Sequence, residues 1–361
     1  CILILHDDAD RHHPVWDLIH NVTENLPIIS ATDTIALAAL GIEHVDLETH
    51  QLPPKTRWWQ LPNDIEMPER EFESYSSLDA YIYSPYQWLL RYAASIRPGS
   101  LDSVSDGPML KGNLAHRLFE EYFTAHRANQ DLDPELIPAW IDGYAPTLLQ
   151  QEGALLLEPG RQAECERFIS VLQEALTALV RHLQEANVVN VDMEVHQQGR
   201  YVGGKLTGSI DLLTTAQDGR EAVVDIKWGG RNYRRSALQE GSYLQLATYA
   251  QLRLAEGAKT FPMLSYFIVS DSHMLNLNHD FFPNAESISP DTEENPAEYW
   301  ARFQHTWQWR KTQFDAGLIE VTVEGTEPSE NSNPGEFGLP LPESSDAFND
   351  YSILTGWEDN A

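Results

Sequence analysis

Thr207-Gly208-Ser209-Ile210-Asp211-Leu212-Leu213-Thr214-Thr215-Ala216-Gln217-Asp218-Gly219-Arg220-Glu221-Ala222-Val223-Val224-Asp225-Ile226-Lys227 reads as two strands joined by a turn. Ile210, Leu212 and Leu213 mark an apolar strand ending at Thr215, and Gln217-Asp218-Gly219-Arg220 is a turn signal. From Ala222 to Trp228 the chain is short, β-branched and nearly all apolar, the pattern of a strand buried on both faces. Asp225 and Lys227 do not belong in such a strand. Being two apart, they leave the same face. An unpaired charge there is costly, so they must be paired, bound to metal, or placed at an open strand end facing a cleft. Asp211, on the neighbouring strand, is within reach of the same spot.

Two carboxylates and an ammonium at one point suit divalent-metal chemistry on phosphate. Carboxylates are hard oxygen ligands for Mg²⁺ or Mn²⁺. A metal so held polarises a phosphate and lowers the pKa of a bound water. The lysine can position that water or stabilise charge building on phosphate oxygens. An Asp–Lys ion pair that serves only the fold would use the same residues, and short motifs recur by chance.

Further signals stand in order along the chain. Gly112-Asn113-Leu114-Ala115-His116 lies upstream, Gly208-Ser209-Ile210-Asp211 opens the strand pair, and Gln245-Leu246-Ala247-Thr248-Tyr249 follows it. Ser74-Tyr75-Ser76-Ser77-Leu78 and Ser84-Pro85-Tyr86-Gln87-Trp88 precede them all. Together with Asp225-Ile226-Lys227 this array resembles the PD-(D/E)xK nuclease superfamily, and within it the RecB/AddB branch, over residues 74–250. The resemblance implies an α/β fold: a restriction-endonuclease-like core with a mixed β-sheet flanked by helices, plus helical additions. It implies that Asp211, Asp225 and His116 hold the metal, with the main-chain carbonyl of Ile226. Lys227 would orient or activate the attacking water, while Gln245 and Tyr249 bind the phosphate backbone and brace the lysine. The family often has an acid near the metal on the first strand, where Glu194 stands; a charge at a strand edge is the alternative. Imidazole suits Mn²⁺ better than Mg²⁺. Many relatives of this branch carry an iron–sulfur cluster with a cysteine beside the Pro85 position. Ser84 stands there, so no iron–sulfur cluster is expected.

With 361 residues, 42% of them hydrophobic, the chain can bury one large core or two modest ones. No apolar run approaches a membrane span. Cys1-Ile2-Leu3-Ile4-Leu5 is too short for a signal peptide and runs at once into His6-Asp7-Asp8, as in a strand entered midway. With no initiator Met, the chain is expected to be the C-terminal piece of something longer. Two cysteines, Cys1 and Cys165, exclude a disulfide framework and a four-cysteine cluster, which points to a cytoplasmic protein. A net charge of −31 runs against unaided DNA binding, because phosphate neutralisation dominates affinity. Either the acid lies away from the cleft, or a partner feeds in the DNA. Arg231, Arg234 and Arg235 just after the Asp225–Lys227 strand, and Arg91 and Arg97 upstream, are the local basic spots.

Three regions are expected. Residues 1–70 read as the end of a helicase-like part and a linker. A strand spans Ile2–Leu5, helices run from about Pro14 to Leu26 and Thr32 to Leu40, and Trp58-Trp59 lies in the linker, more suited to packing than to stacking on bases. No Walker motif is present, so the chain shows no ATPase of its own. Residues 71–320 read as the nuclease. Its aromatic helix covers 74–98, with most aromatics in the core. The helix of His116 and Glu120 covers 111–125, and an amphipathic helix of period 3.6 covers 161–186. The first strand spans Val188–Val195. A helix runs from about Ala237 to Glu256, strands over 261–270 and 274–278, and a last helix from Asn295 to Phe314. Residues 321–361 read as an acidic flexible tail whose end, Phe348–Trp357, docks back.

The sequence thus predicts a metal-dependent deoxyribonuclease, an exonuclease or endonuclease, working with a helicase/ATPase subunit or an N-terminal helicase-like region in DNA repair or anti-phage defence. A non-catalytic scaffold or DNA-guiding subunit would show loss of a metal carboxylate or the lysine, and neither is lost. A ribonuclease would look the same in sequence.

Overall fold

The strand with the least polar sequence, β4 (Glu221–Lys227), lies inside a sheet and is buried on both sides from Ala222 to Ile226. The computed structural model describes residues 33–41, 54–62, 65, 67–68, 70–97, 106–126, 132–277, 281–292, 294–345 and 349–356. They belong to two units, Cys1–Leu52 and Pro53–Ala361. In the first, helix α1 (Thr34–Ala39) starts where the Asp33 carboxylate accepts the Ala36 N–H at 3.0 Å. The expected strand Ile2–Leu5 and helix Pro14–Leu26 lie outside the described residues.

The second unit is built on a six-stranded sheet whose order follows the chain: β2 (Val188–Tyr201), β3 (Gly204–Ala216), β4, β5 (Met263–Ile268), β6 (His273–Leu277) and β7 (Glu286–Ile288). β2–β3–β4 and β5–β6 are antiparallel, whereas β4–β5 and β6–β7 are parallel. The sheet is therefore mixed, as expected of the restriction-endonuclease-like core. A parallel step needs a crossover. Between β4 and β5 it is made by α7 (Arg231–Gln239) and α8 (Leu244–Ala255).

Helices cover both faces. On one, α2 (Tyr75–Tyr83), α8 and α9 (Pro296–Asp315) bury Leu78, Ile82, Leu246, Leu252 and Phe303 against Val223, Leu264, Tyr266 and Ile268. On the other, α4 (Gly107–His126), α5 (Ile137–Glu152) and α6 (Gln162–Glu185) bury Leu118, Phe119, Ile141, Leu176 and Leu179 against Val224, Ile226 and Phe267. Each fully buried side chain of this kind contributes about 1.5–3 kcal/mol. No helix among the described residues is long and apolar enough to cross a membrane.

Element ends differ from expectation where backbone chemistry intervenes. The aromatic helix expected over 74–98 stops at Tyr83. Ser84 is extended before Pro85, which has no N–H to give, and the chain restarts as α3 (Pro85–Trp88). The helix expected over 237–256 is two helices, divided at Gly241, whose φ is +71°. α9 begins as expected at Asn295, which with Glu298 forms a capping box. β7 carries too few apolar residues to be read from sequence, and β2 runs on well past Val195.

A second, two-stranded sheet pairs β1 (Trp58–Gln60) with β8 (Leu318–Glu320). Trp59 packs edge-on against Tyr86, ring centroids 6.3 Å apart. Beside this sheet the Glu320 carboxylate, 1% exposed, lies 2.7 Å from Arg57 Nη2 and also pairs with the buried Arg310. The described residues after β8 have little regular structure, yet Leu339 is buried and Gly338 O accepts from Arg302 at 2.6 Å. Tyr351 donates to Ile96 O at 2.8 Å.

Candidate active site

β3 and β4 bring the acids together by register. The ladder pairs Leu213 with Val223 and Leu212 with Val224, and its continuation sets Asp211 opposite Asp225. The Ile226 N–H donates to Asp211 Oδ2 at 2.8 Å. Lys227, on the same face of β4 as Asp225, places its Nζ 2.9 Å from Asp225 Oδ1 and 2.7 Å from Oδ2. Asp225 is fully buried, and Lys227 keeps about a quarter of its side chain exposed.

His116 approaches from α4. Its Nε2 is 2.9 Å from Ile226 O and 3.9 Å from Asp211 Oδ2, and its Nδ1 is 3.2 Å from Glu194 Oε1. Ser209 Oγ donates to the other Glu194 oxygen at 3.1 Å. Sequence reading passed over Ser209. Its signal was its place on the same strand as Asp211, two residues earlier. Glu120, one turn from His116, accepts instead from Arg117 at 2.8 Å.

Glu194 sits in an unusual backbone state. It lies mid-strand with φ +49°, a left-handed conformation that costs an L-residue roughly 1–2 kcal/mol. The β2–β3 ladder pairs Met193 with Leu212 and Val195 with Ile210, and omits Glu194 and Asp211 between them. The sheet changes sides there. Ile210 and Val195 pack on the α8 layer, while Leu212 and Met193, two residues away, pack on the α4–α6 layer. Strain of this kind concentrates at functional sites. Here it releases two acids from the alternation of the pleat at the point where they meet.

Two glycines make the surroundings attainable. A Cβ on Gly208 would meet Leu252 Cδ1 at 3.0 Å and Tyr249 Cε1 at 3.2 Å, so glycine lets α8 lie close on β3. Gly230, φ +85°, turns the chain from β4 into α7. On α8, Gln245 Nε2 donates to Tyr249 OH at 3.2 Å. That bond joins the pair to each other rather than to Lys227, whose ammonium is taken by Asp225.

The charges are unbalanced. Burial, and then the neighbouring Asp225 charge, push the Asp211 carboxyl up to about 7 despite His116 and Lys227. Burial alone would lower the His116 imidazole, but the Glu194 hydrogen bond, the Asp211 charge and the Ile226 carbonyl outweigh it and hold it above its ordinary value. The same hydrogen bond from His116 holds Glu194 below the usual carboxylate range. Both ring nitrogens face oxygen atoms, of Glu194 and of the Ile226 carbonyl.

His116, Glu194 and Asp211 offer ligand atoms all within 4.8 Å of one another. With the Ile226 carbonyl, 2.9 Å from His116 Nε2, they form a donor set of hard oxygens and one imidazole. A buried carboxyl raised by like charge is the environment that a divalent cation relieves. The residues fit such an ion. Asp225 stands apart from the triad, its carboxylate turned to Lys227.

Among protein families, the PD-(D/E)XK nuclease superfamily matches residues 73–322 of the chain. No curated protein matches it.

Proposed function

The chain belongs to the PD-(D/E)XK nuclease superfamily, and on that premise we propose that it hydrolyses DNA phosphodiester bonds with Mg²⁺ or Mn²⁺ held by His116, Glu194, Asp211, Asp225 and the Ile226 carbonyl. The observation that carries this reading is Lys227. Its side chain keeps about a quarter of its surface exposed and is paired to a fully buried carboxylate, beside an acid pushed up to about 7. A lysine that served only the fold would not need the strained Glu194 or the crowded Asp211 next to it.

When bound, the cation supplies a polarised phosphate and a water of lowered pKa. The protein's own groups do the rest. Asp225 anchors Lys227 so that its ammonium can orient the attacking water and meet the charge developing on the phosphate oxygens. His116 would hold the cation through a ring nitrogen free of its proton, beside Glu194 and Asp211. Gln245 and Tyr249 border the same face and would contact the phosphate backbone next to the bond being cut.

The RecB/AddB likeness of the motifs makes a helicase/ATPase subunit or an N-terminal helicase-like region the expected partner, in cytoplasmic DNA-end repair or anti-phage defence. The net charge of −31 favours that arrangement, since a partner that holds the DNA spares this chain the need for a broad basic face. The alternative is a scaffold or DNA-guiding subunit that keeps the fold without cutting, and one experiment separates the two. Labelled single- and double-stranded DNA is incubated in Mg²⁺ and in Mn²⁺ with wild type and with Lys227→Ala. Cutting by wild type alone, with Lys227→Ala still folded and still binding metal, supports catalysis. An inert wild type, in both metals and with its partner present, supports the guiding role.

A further inference from the structure

Helix α7 leaves the catalytic strand through Gly230 and carries three arginines with two different fates. Arg231 and Arg235 are one turn apart and share one acid: Glu286 on β7 lies 2.9 Å from Arg231 Nη2 and 2.7 Å from Arg235 Nε. His273 adds a third contact at 2.8 Å. Arg235, Arg231 and His273 together hold the Glu286 carboxyl down to about 2. These two arginines fasten α7 to the sheet edge.

Arg234 lies between them in sequence and is turned elsewhere. Among the described residues it has no carboxylate partner, although the chain has 55 acidic residues to 24 basic ones. Its guanidinium carbon sits 5.1 Å from the centroid of the Tyr233 ring and 5.2 Å from that of Tyr266. Tyr266 is the register partner of Asp225 on β5. Burial pushes the Tyr266 phenol up and Asp225 pushes it further, while the charge of Arg234 and its hydrogen bond to the phenol pull it back. Tyr233 is 69% exposed, an aromatic face open to solvent beside that cation.

A half-buried guanidinium held by two rings, with one donor spent on the Tyr266 hydroxyl, has already lost much of its rotamer freedom and keeps its other donors for a phosphate. An exposed ring next to it is a stacking platform for a base of any identity. We propose that Tyr233 and Arg234 form a nucleotide subsite for single-stranded DNA, Arg234 taking a phosphate adjacent to the one at the metal site and Tyr233 the base. The proposal rests on the nuclease reading for its substrate. Single-stranded DNA is the occupant because only an unpaired base offers its face to Tyr233.

The test is binding without cleavage: fluorescence anisotropy of a fluorescein-labelled oligothymidylate, in EDTA, across a salt series. Arg234→Ala is expected to weaken binding about 10- to 100-fold and to reduce the salt slope by about 0.7, the share of one phosphate on a single strand. Tyr233→Ala weakens it by about 5- to 100-fold with the slope unchanged. Arg234→Lys falls between, and Arg231→Ala lowers the melting temperature while affinity stays within about twofold. Should Arg234→Ala fail to fold, Arg234→Lys and the surface change Tyr233→Ala carry the test. Folded variants with wild-type affinity and salt slope overturn the subsite. A duplex of the same length that loses as much on Tyr233→Ala overturns its single-strand preference. Because nothing is cut here, cleavage with no effect at Arg234 removes the subsite alone. An effect at Arg234 in a protein that never cuts removes the catalytic reading alone.

Discussion

Two clusters of buried charge sit in this protein, and they are built on opposite terms. At the β1–β8 sheet, Glu320 is enclosed by Arg57 and Arg310, and the leftover donors of both arginines find the carbonyls of Glu343 and Ile82 and the side chain of Gln313. Every charge there is answered by protein. At the β3–β4 centre, Asp211 and Asp225 face each other, Asp211 is pushed up to about 7, and Glu194 holds a left-handed backbone mid-strand. Asp211 and Asp225 are hidden from water as Glu320 is, so the burial of the acids does not distinguish the two. What does is whether the cluster is complete without a ligand. The first is, and the second is short of positive charge.

The sharpest way to press that contrast is to remove the charge in each cluster that matters most. Lys227→Ala should lower kcat by on the order of 10³-fold, the usual effect of deleting a preorganised charge at a transition state, in addition to the stability lost by leaving the buried Asp225 unpaired. Steady-state cleavage and a thermal melt on the same preparation check it. A large loss of stability with modest loss of rate would make the β3–β4 centre a second structural cluster.

Glu320→Ala makes the complementary prediction. It strands two buried guanidinium groups, and breaking a buried pair in this way costs about 3–5 kcal/mol. Denaturant unfolding should show that loss, with cleavage per folded molecule retained. Full stability would mean the enclosed cluster contributes nothing to holding β1 on β8.

The third effect is a pH dependence confined to the incomplete cluster. Asp211 binds its proton up to about pH 7 when folded, against about 3.8 as an ordinary carboxyl. Between those values the folded chain holds more protons than the unfolded one, so metal-free stability falls as pH rises through that window. A bound cation displaces the proton and cancels the loss. The thermal shift produced by Mn²⁺ should therefore be small near about pH 5.5 and grow to about pH 8, and cleavage should rise with it. A shift independent of pH would show that Asp211 does not meet the ion.

The same contrast explains what sequence reveals. Asp211, the turn at Asp218-Gly219, and Asp225-Ile226-Lys227 were legible because a charge in a buried strand violates a local rule, and the local rule is read along the chain. His116 was legible only through motif order, since a histidine on an amphipathic helix violates nothing. The Arg57–Glu320–Arg310 cluster left no trace, because its members are more than 250 residues apart in part and each is an ordinary surface residue type. Most instructive are Ile210 and Leu212. Two apart, they read as one apolar face, yet they pack on opposite sides of the sheet. Period-2 reasoning assumes an unbroken pleat, and nothing in the side chains announces that Glu194 breaks it. Pro85 and Gly241, by contrast, did carry the signals for the helix breaks at their positions, and the apolar pattern running through them masked both.

That break provides the smallest and most discriminating prediction. In an ordinary strand interior, glycine is less stable than alanine by about 0.5–1 kcal/mol. At position 194 the order should invert. Glu194→Ala loses the bonds to His116 and Ser209 and keeps the left-handed strain, whereas Glu194→Gly loses the same bonds and relieves it. Glycine should therefore be the more stable of the two by about 1 kcal/mol in metal-free unfolding. Both variants remove the same carboxylate, so metal affinity falls equally in each and cannot produce the difference. Should alanine prove the more stable, residue 194 is an ordinary strand position in solution, and the change of sides between Met193 and Val195 needs another cause.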